Sequence, residues 1–247
     1  MSSTSFARAI VFYLCALVTA LLVCTALVAT RPFSHRVRYR IGRIWTDVNL
    51  WVLEHVVGIR YAVTGAENIP PGPAIVLAKH QSAWETMGLQ KIFPRQVWVL
   101  KRELFWVPLF GWGLAMLDPI AIDRKAGFRA IREIVRQGRE RLAGGAWVVI
   151  FPEGTRVSPG EQRPYHPGGG KLAAESGFPV VPVAHDAGLL WPRNSFGKHA
   201  GTIHVAIGPP IDPAGLSASE ITRRAQDWIE TTCNRLLEQA RDTSARS

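Results

Sequence analysis

The apolar positions near the start of the chain come in two arrangements. From Ala9 to Thr30 no charged residue occurs, and an apolar run of about 20 residues is enough to cross a bilayer core as a helix. Arg8 precedes the run, while Arg31, Arg36, Arg38, Arg40 and Arg43 crowd its far end. By the positive-inside tendency, the bulk of the chain then lies on the cytoplasmic side. A cleaved signal peptide is the competing reading, but the run is long for one and LVATRP is a poor cleavage site. Residues 41 to 57, IGRIWTDVNLWVLEHVV, are periodic instead. At about 100° per residue, Ile41, Ile44, Trp45, Val48, Trp51, Val52 and Val56 share one broad face, opposite Arg43, Thr46 and Glu54. Two tryptophans on that face favour the membrane interface, although a helix covering a domain core carries the same pattern.

From residue 59 onward the pattern alternates. Strand-like runs occur at RYAVTG, AIVLAKH, QVWVLK, PIAID, AWVVIFPEG, FPVVPVAH and TIHVAIG, several of them apolar throughout. Between them lie helix-like patterns around 83 to 93, 104 to 117, 126 to 143 and 169 to 176, and a long one from 218 to 241. All-apolar strands alternating with helices predict an α/β fold: a mainly parallel central sheet flanked by helices on both faces. Such sheets bind ligands beyond the carboxyl ends of their strands. The division expected is a membrane-associated helix pair over 1–58 and a catalytic domain over 59–247. The Pro/Gly-rich loop from 157 to 170 is the one long irregular piece, expected as a mobile flap.

Composition narrows the partners. The 247 residues are 47% apolar, enough for a substantial core, and 29 basic against 19 acidic residues give a net charge of +10. That balance favours anionic partners: nucleic acid, a membrane face or a phosphorylated substrate. With only Cys15, Cys24 and Cys233, two of them inside the apolar run, no disulfide framework is expected.

Three strand ends carry chemistry. AIVLAKH ends at His80, and SAWE after it reads as a capping box, with Ser82 as N-cap and Glu85 at the third helical position. A histidine on that turn faces backbone amides and the positive end of a helix dipole, which favour a neutral imidazole able to accept a proton. Glu85 then either caps the helix or holds Nδ1 and leaves Nε2 as a base. In VVIFPEGTR the strand ends at Phe151, and Arg156 offers a planar fork for phosphate that Glu153 could orient; alternatively Glu153 and Arg156 only pair to stabilise a turn. PIAIDR brings Asp123 and Arg124 to a third strand end, with Lys125 next. A base with two or three cations suits proton abstraction from a phosphate-bearing substrate.

HQSAWE, DPIAIDR, FPEGTR and VVPVAH, in that order, resemble the four signature blocks of the glycerolipid acyltransferases, over roughly residues 60 to 210. The resemblance implies that His80 deprotonates the sn-2 hydroxyl of lysophosphatidate, which attacks the thioester of acyl-CoA or acyl-carrier protein. It implies Arg124 and Arg156 as phosphate ligands, Glu153, Gly154 and Thr155 as parts of the third block, and Asp123 and Pro182 as shapers of the substrate and acyl site. No cofactor or metal is expected, and the partners implied are a lysophospholipid, the acyl donor and membrane lipid, with no nucleic acid. The implied location is the inner membrane, catalytic domain inward. The family most often has Asp where this chain has Glu85; a glutamate reaches one methylene further and keeps the orienting role open.

The aromatic stretch ELFWVPLFGWGLAML, 103 to 117, reads either as an apolar enclosure with an acyl groove or as a buried core helix. In the helix after Arg124, Arg129, Arg132, Arg136 and Arg139 fall within a sector of about 80°, beside Phe128, Ile131, Val135 and Leu142. They suit an anionic headgroup layer, but Glu133 and Glu140 lie in reach for pairs within the helix, which favours an ordinary solvated face. PGGGKLA lacks the first glycine and the Ser/Thr of a phosphate loop, and no HEXXH, paired-cysteine or G-x-S-x-G pattern occurs. Rival functions are a thioesterase using the same base with water, an acyltransferase acting on another lyso-lipid such as lyso-ornithine lipid, and a non-enzymatic basic binding protein.

Overall fold

The computed structural model describes residues 3–246. Seven strands form one sheet: β1 (Ile59–Thr64), β2 (Ile75–Ala78), β3 (Gln96–Lys101), β4 (Ile120–Ile122), β5 (Trp147–Ile150), β6 (Val180–His185) and β7 (Gly201–Ile207). Their order is β1-β7-β6-β2-β5-β3-β4, and every pairing is parallel except β6 with β7. The central strands, IVLA, WVVI and VVPVAH, are buried at every position. Such strands are covered on both faces, hence their unbroken apolar runs.

Alternation divides the sheet's side chains between two layers. Val76, Ala78, Val149, Val181 and Val183 face α1 (Ser3–Ala29), α2 (His35–Val52), α3 (Glu85–Ile92) and the short α7 (Ala187–Leu190). Ile75, Leu77, Val148, Ile150 and Val180 face α5 (Phe128–Ala143), α6 (Gly168–Ser176) and α8 (Ala218–Arg246). On α8 the buried Ile221, Ala225, Ile229 and Cys233 recur every four residues, a stripe one helix face wide. The glycine run of PGGGKLA becomes the first turn of α6 because the backbone passes too close for side chains. A Cβ on Gly169 would stand 2.5 Å from Leu77, and one on Gly170 would stand 2.3 Å from Thr222 of α8.

Three expectations change, and the expected uncovered face of α2 is present. The stretch 104 to 117 is not one helix: a 3₁₀ turn, Arg102–Trp106, is followed by α4 (Phe110–Ala115) after Pro108, with Leu109 at φ 61. Proline cannot continue the hydrogen-bonded ladder, and the segment is no core helix, since Trp106 is 76% exposed and Trp112 57%. On α2 the packed face holds Thr46, Asn49 and Leu50 while Trp51 and Ile44 point outward, as the interfacial reading of that face expected, except that Val52 turns inward. Asn49 donates to Thr19 Oγ1 of α1 at 3.1 Å, a polar contact between the two helices. On α5 the buried side is Ala130, Ile134, Val135, Gly138 and Leu142; Phe128 is 85% exposed, and Arg136 pairs with Glu133 and Glu140 as a solvated face does. The loop 157–170 is pinned: Val157 N–H donates to the His80 carbonyl at 2.8 Å, and the buried Tyr165 hydroxyl donates to Glu230 at 2.8 Å.

α1 is the one helix among the described residues long and apolar enough to cross a membrane, and only 22% of its most apolar window is buried. One flank packs on the domain through Phe12 against Trp191, Val23 and Leu27; Leu14, Leu17, Leu21 and Leu22 stand uncovered. An apolar strip of that extent calls for lipid, and the chain is membrane-associated.

Candidate active site

β2 lies between β5 and β6, so the turns after β2 and β5 are neighbours by topology. After Ala78 the chain leaves the sheet through Lys79 and His80 and enters α3. Glu85 is completely buried and performs both roles left open by its spacing. One oxygen meets His80 Nδ1 at 2.8 Å; the carboxylate also accepts the N–H groups of Gln81 and Ser82 at 2.9 and 2.8 Å. Ser82 Oγ returns the bond by accepting from Trp84 N–H at 3.2 Å, which completes the capping arrangement. Burial pushes the Glu85 carboxyl up, but the His80 hydrogen bond, the His185 and His80 imidazoles and the Ser82 amide outweigh it and hold the group below its ordinary value. A carboxylate only accepts, so Nδ1 carries the hydrogen and Nε2 of the neutral ring is left with a lone pair.

The turn after β5 supplies the other side. The Phe151 ring stacks on the His80 imidazole, centroids 4.0 Å apart and planes 10° from parallel, which fixes the tilt of the ring. Glu153 points inward: one oxygen accepts His80 N–H at 2.8 Å, and the other lies 2.7 Å from Lys79 Nζ. It therefore pairs with neither Arg156 nor a substrate hydroxyl, because a buried ammonium is the closer and drier partner. Lys79 in turn meets Glu230 of α8 at 2.8 and 2.9 Å. Two carboxylates thus share one cation. Burial pushes Glu153 up to about 7 and Glu230 adds to the rise, while Lys79 and the His80 amide oppose it.

The cations of the rim come next. Arg124, just beyond β4, reaches across the end of β3 to donate to the Gly154 carbonyl. Gly154 has φ +68, and a Cβ there would stand 3.1 Å from the His166 ring, so the turn needs glycine. His80, Arg124 and Arg156 line one cleft of about 430 Å³. Its remaining wall is mostly apolar, with Val23, Cys24 and Leu27 from α1, Trp98 and Leu100 from β3, and Phe110 and Leu114 from α4, alongside the polar Thr86, Gln90, Gln96 and Lys101. Of the two readings of the 103–117 stretch, the structure has the enclosure.

Besides Glu153, which is turned inward, and Gly154, which offers its carbonyl to Arg124 from outside the lining, three residues expected at the site stand elsewhere. Asp123 caps the turn after β4 by accepting Lys125 N–H at 2.9 Å and lines a different cleft. Pro182 is buried in β6 opposite Leu77, its carbonyl bound to Gly208 N–H at 2.9 Å, and does not line the His80 cleft. Thr155 lies on the turn but outside the lining. Sequence reasoning missed Lys79, Phe151 as a stacking partner, Glu230 and the α1 wall. A lysine closing an apolar strand was a signal, since a buried cation requires partners; nothing local pointed to Glu230.

An imidazole held by a carboxylate stands at the carboxyl edge of a mainly parallel sheet and shares a largely apolar cleft with two guanidinium groups, where such sheets place their ligands. The chain belongs to the acyltransferase family, whose model matches residues 60–186. It is 43% identical over 237 residues to a 1-acyl-sn-glycerol-3-phosphate acyltransferase of Pseudomonas aeruginosa, covering 94% of this chain and 92% of that one. It is 30% identical over 172 residues to the human 1-acyl-sn-glycerol-3-phosphate acyltransferase alpha, covering 68% and 61%. The fold matches the crystal structure of a 1-acyl-sn-glycerophosphate acyltransferase from Thermotoga maritima with a TM-score of 0.77 over 93% and 94% of the chains, at 23% identity.

Proposed function

We propose that the protein transfers a fatty acyl group from a thioester donor, acyl-CoA or acyl-carrier protein, to the sn-2 hydroxyl of 1-acyl-sn-glycerol-3-phosphate, giving phosphatidate. The observation that carries this reading is the shared cleft, in which one base and two guanidinium groups open on an apolar wall. His80 Nε2 takes the hydroxyl proton as the oxygen attacks the thioester carbon. The carbon–sulfur bond breaks, and the imidazolium returns the proton to the departing thiolate. Glu85 keeps the imidazole in the required tautomer and stabilises its charged form. Arg124 and Arg156 hold the headgroup phosphate. A thiolate is a good leaving group, so an alcohol and a base suffice without a cofactor or metal, the base being worth about 10²–10⁴ in rate. The apolar wall keeps water from turning transfer into hydrolysis.

The excess of arginine after α1, with Arg31, Arg36 and Arg40 exposed, supports a catalytic domain on the cytoplasmic side of the inner membrane. The test is an assay with labelled acyl-CoA or acyl-carrier protein and a panel of lyso-lipids. Label should appear in phosphatidate, and Arg156→Ala should raise KM for lysophosphatidate about tenfold by the loss of one charge-assisted contact. Label released as free fatty acid would make the protein a hydrolase. Equal turnover of a lyso-lipid without phosphate, such as lyso-ornithine lipid, would remove the arginines from their role.

A further inference from the structure

The carboxyl ends of β3 and β4 divide two cavities. The strands pair with Lys101 opposite Ile122. Lys101 and Arg124 line the His80 cleft, while their chain neighbours Arg102 and Asp123 line a second cleft of about 370 Å³, bounded by Ala126 of the 3₁₀ turn after β4 and floored by the first turns of α5 through Arg129, Ala130, Arg132 and Glu133. That volume is in the range of small-molecule sites.

The charge of this second cleft runs against local stability. Arg129 and Arg132 sit at the start of α5, where the helix dipole favours anions, and the first turn of α5 carries no acidic residue. They are three residues apart, so they repel one another on one helix face. Arg102 joins them from the other strand end. Among the described residues, none of the three guanidinium groups has a carboxylate within ion-pair distance. The acidic lining is occupied: Glu133 accepts from Arg136 at 3.0 Å and Gln137 at 2.9 Å, and Asp123 from the Lys125 amide. Three exposed arginines without a carboxylate partner, lining one cavity at a helix start, suit a multiply charged, phosphate-type anion.

We infer that this cleft binds the phosphates of coenzyme A when acyl-CoA is the donor, its thioester lying across the shared strand ends at His80. The inference rests on the proposed acyl transfer. The lipid acceptor has a single phosphate, already assigned to the His80 cleft, whereas coenzyme A carries a diphosphate and a further phosphate remote from its thioester. One molecule thereby spans both cavities, with the apolar acyl chain in the first and the polyanion in the second.

The experiment compares wild type with Arg102→Gln and with Arg129→Gln/Arg132→Gln, using acyl-CoA, the matching acyl-pantetheine, which has no phosphate, and acyl-carrier protein. KM for acyl-CoA should rise about tenfold for each fork removed. Turnover at saturating acyl-CoA, KM for lysophosphatidate and KM for acyl-pantetheine should stay as in wild type. Adenosine 3′,5′-bisphosphate should compete with acyl-CoA in wild type and lose that effect in the variants. An unchanged KM for acyl-CoA overturns the inference. So does a rise confined to acyl-carrier protein, which would make the cleft a docking site for an acidic protein, or loss of binding to anionic vesicles with the donor KM intact, which would make it a lipid contact. Because acyl-pantetheine bypasses the cleft, its failure to acylate lysophosphatidate in wild type would count against the proposed reaction and not against the cleft.

Discussion

Two buried glutamates hold the same histidine from opposite sides, and their surroundings drive their charges apart. Glu85, in the turn after β2, takes the imidazole and two backbone N–H groups at the start of its own helix, and these outweigh burial to keep it a carboxylate. Glu153, in the turn after β5, takes the backbone of His80 but faces Glu230 across one lysine, and burial prevails. Equal burial of one residue type therefore gives two devices. The first sets the tautomer of the base; the second fixes the base's backbone to β5 and α8, so that a helix outside the family match of 60–186 frames the site.

The largest effect is expected from the group that both devices serve. His80→Ala should lower kcat by about 10²–10⁴ and cost about 1–3 kcal/mol of stability, because Glu85 loses its imidazole partner but keeps the Gln81 and Ser82 amides. Single-turnover assays with labelled donor beside thermal unfolding in detergent would check this; retained turnover would remove the base from the mechanism.

Breaking the second device comes next. Lys79→Met leaves Glu153 and Glu230 facing each other without a cation, and stripping one partner from a buried ionic group costs about 3–5 kcal/mol. Denaturant unfolding would measure it. Little destabilisation would mean that the three charges are compensated differently from what the 2.7–2.9 Å separations show.

Breaking the first device should act on rate more than on fold. Glu85→Gln offers no charge to the imidazolium and leaves its amide hydrogens facing donors, so kcat should fall about 10²-fold, with KM for both substrates nearly unchanged. A rise in KM with normal kcat would assign Glu85 to substrate binding instead.

Most of this frame was legible because it is local. Seven strand-like runs mark the seven strands, and the spacing of Ser82 and Glu85 around His80 announces a helix start whose carboxylate can reach back. The uncovered faces were legible in part: Trp51 and Ile44 stay exposed on α2, as the interfacial reading of two tryptophans on one face expected, whereas the exposure of Trp106 and Trp112 follows from a break at Pro108 that the apolar pattern of 103–117 hides. Pairings distant in sequence are silent in it, as Lys79 and Glu230 are, 151 positions apart. Pro182 shows the converse, a residue within a recognisable block that is buried in β6 and does not line the cleft.

The smallest effect sharpens the comparison, because the two carboxylates should leave opposite signatures in stability against pH. Glu85 titrates below its unfolded value of about 4.3, so the unfolded chain binds the extra proton and the stabilisation from Glu85 is present above that pH and lost as pH falls through the folded value. Glu153 titrates near 7, so between about 4.3 and 7 the folded chain holds the extra proton and stability declines as pH rises. One proton changes the unfolding free energy by at most about 1.4 kcal/mol per pH unit. Relative to wild type, the penalty of Glu85→Gln should therefore grow from acid up to about pH 4.3 and then level off, whereas that of Glu153→Gln should shrink between about pH 4.3 and 7. Denaturant titrations of both variants across that range read the two slopes directly. Slopes of the same sign would show that Glu153, like Glu85, is a fully ionised partner, and that Lys79 alone balances it.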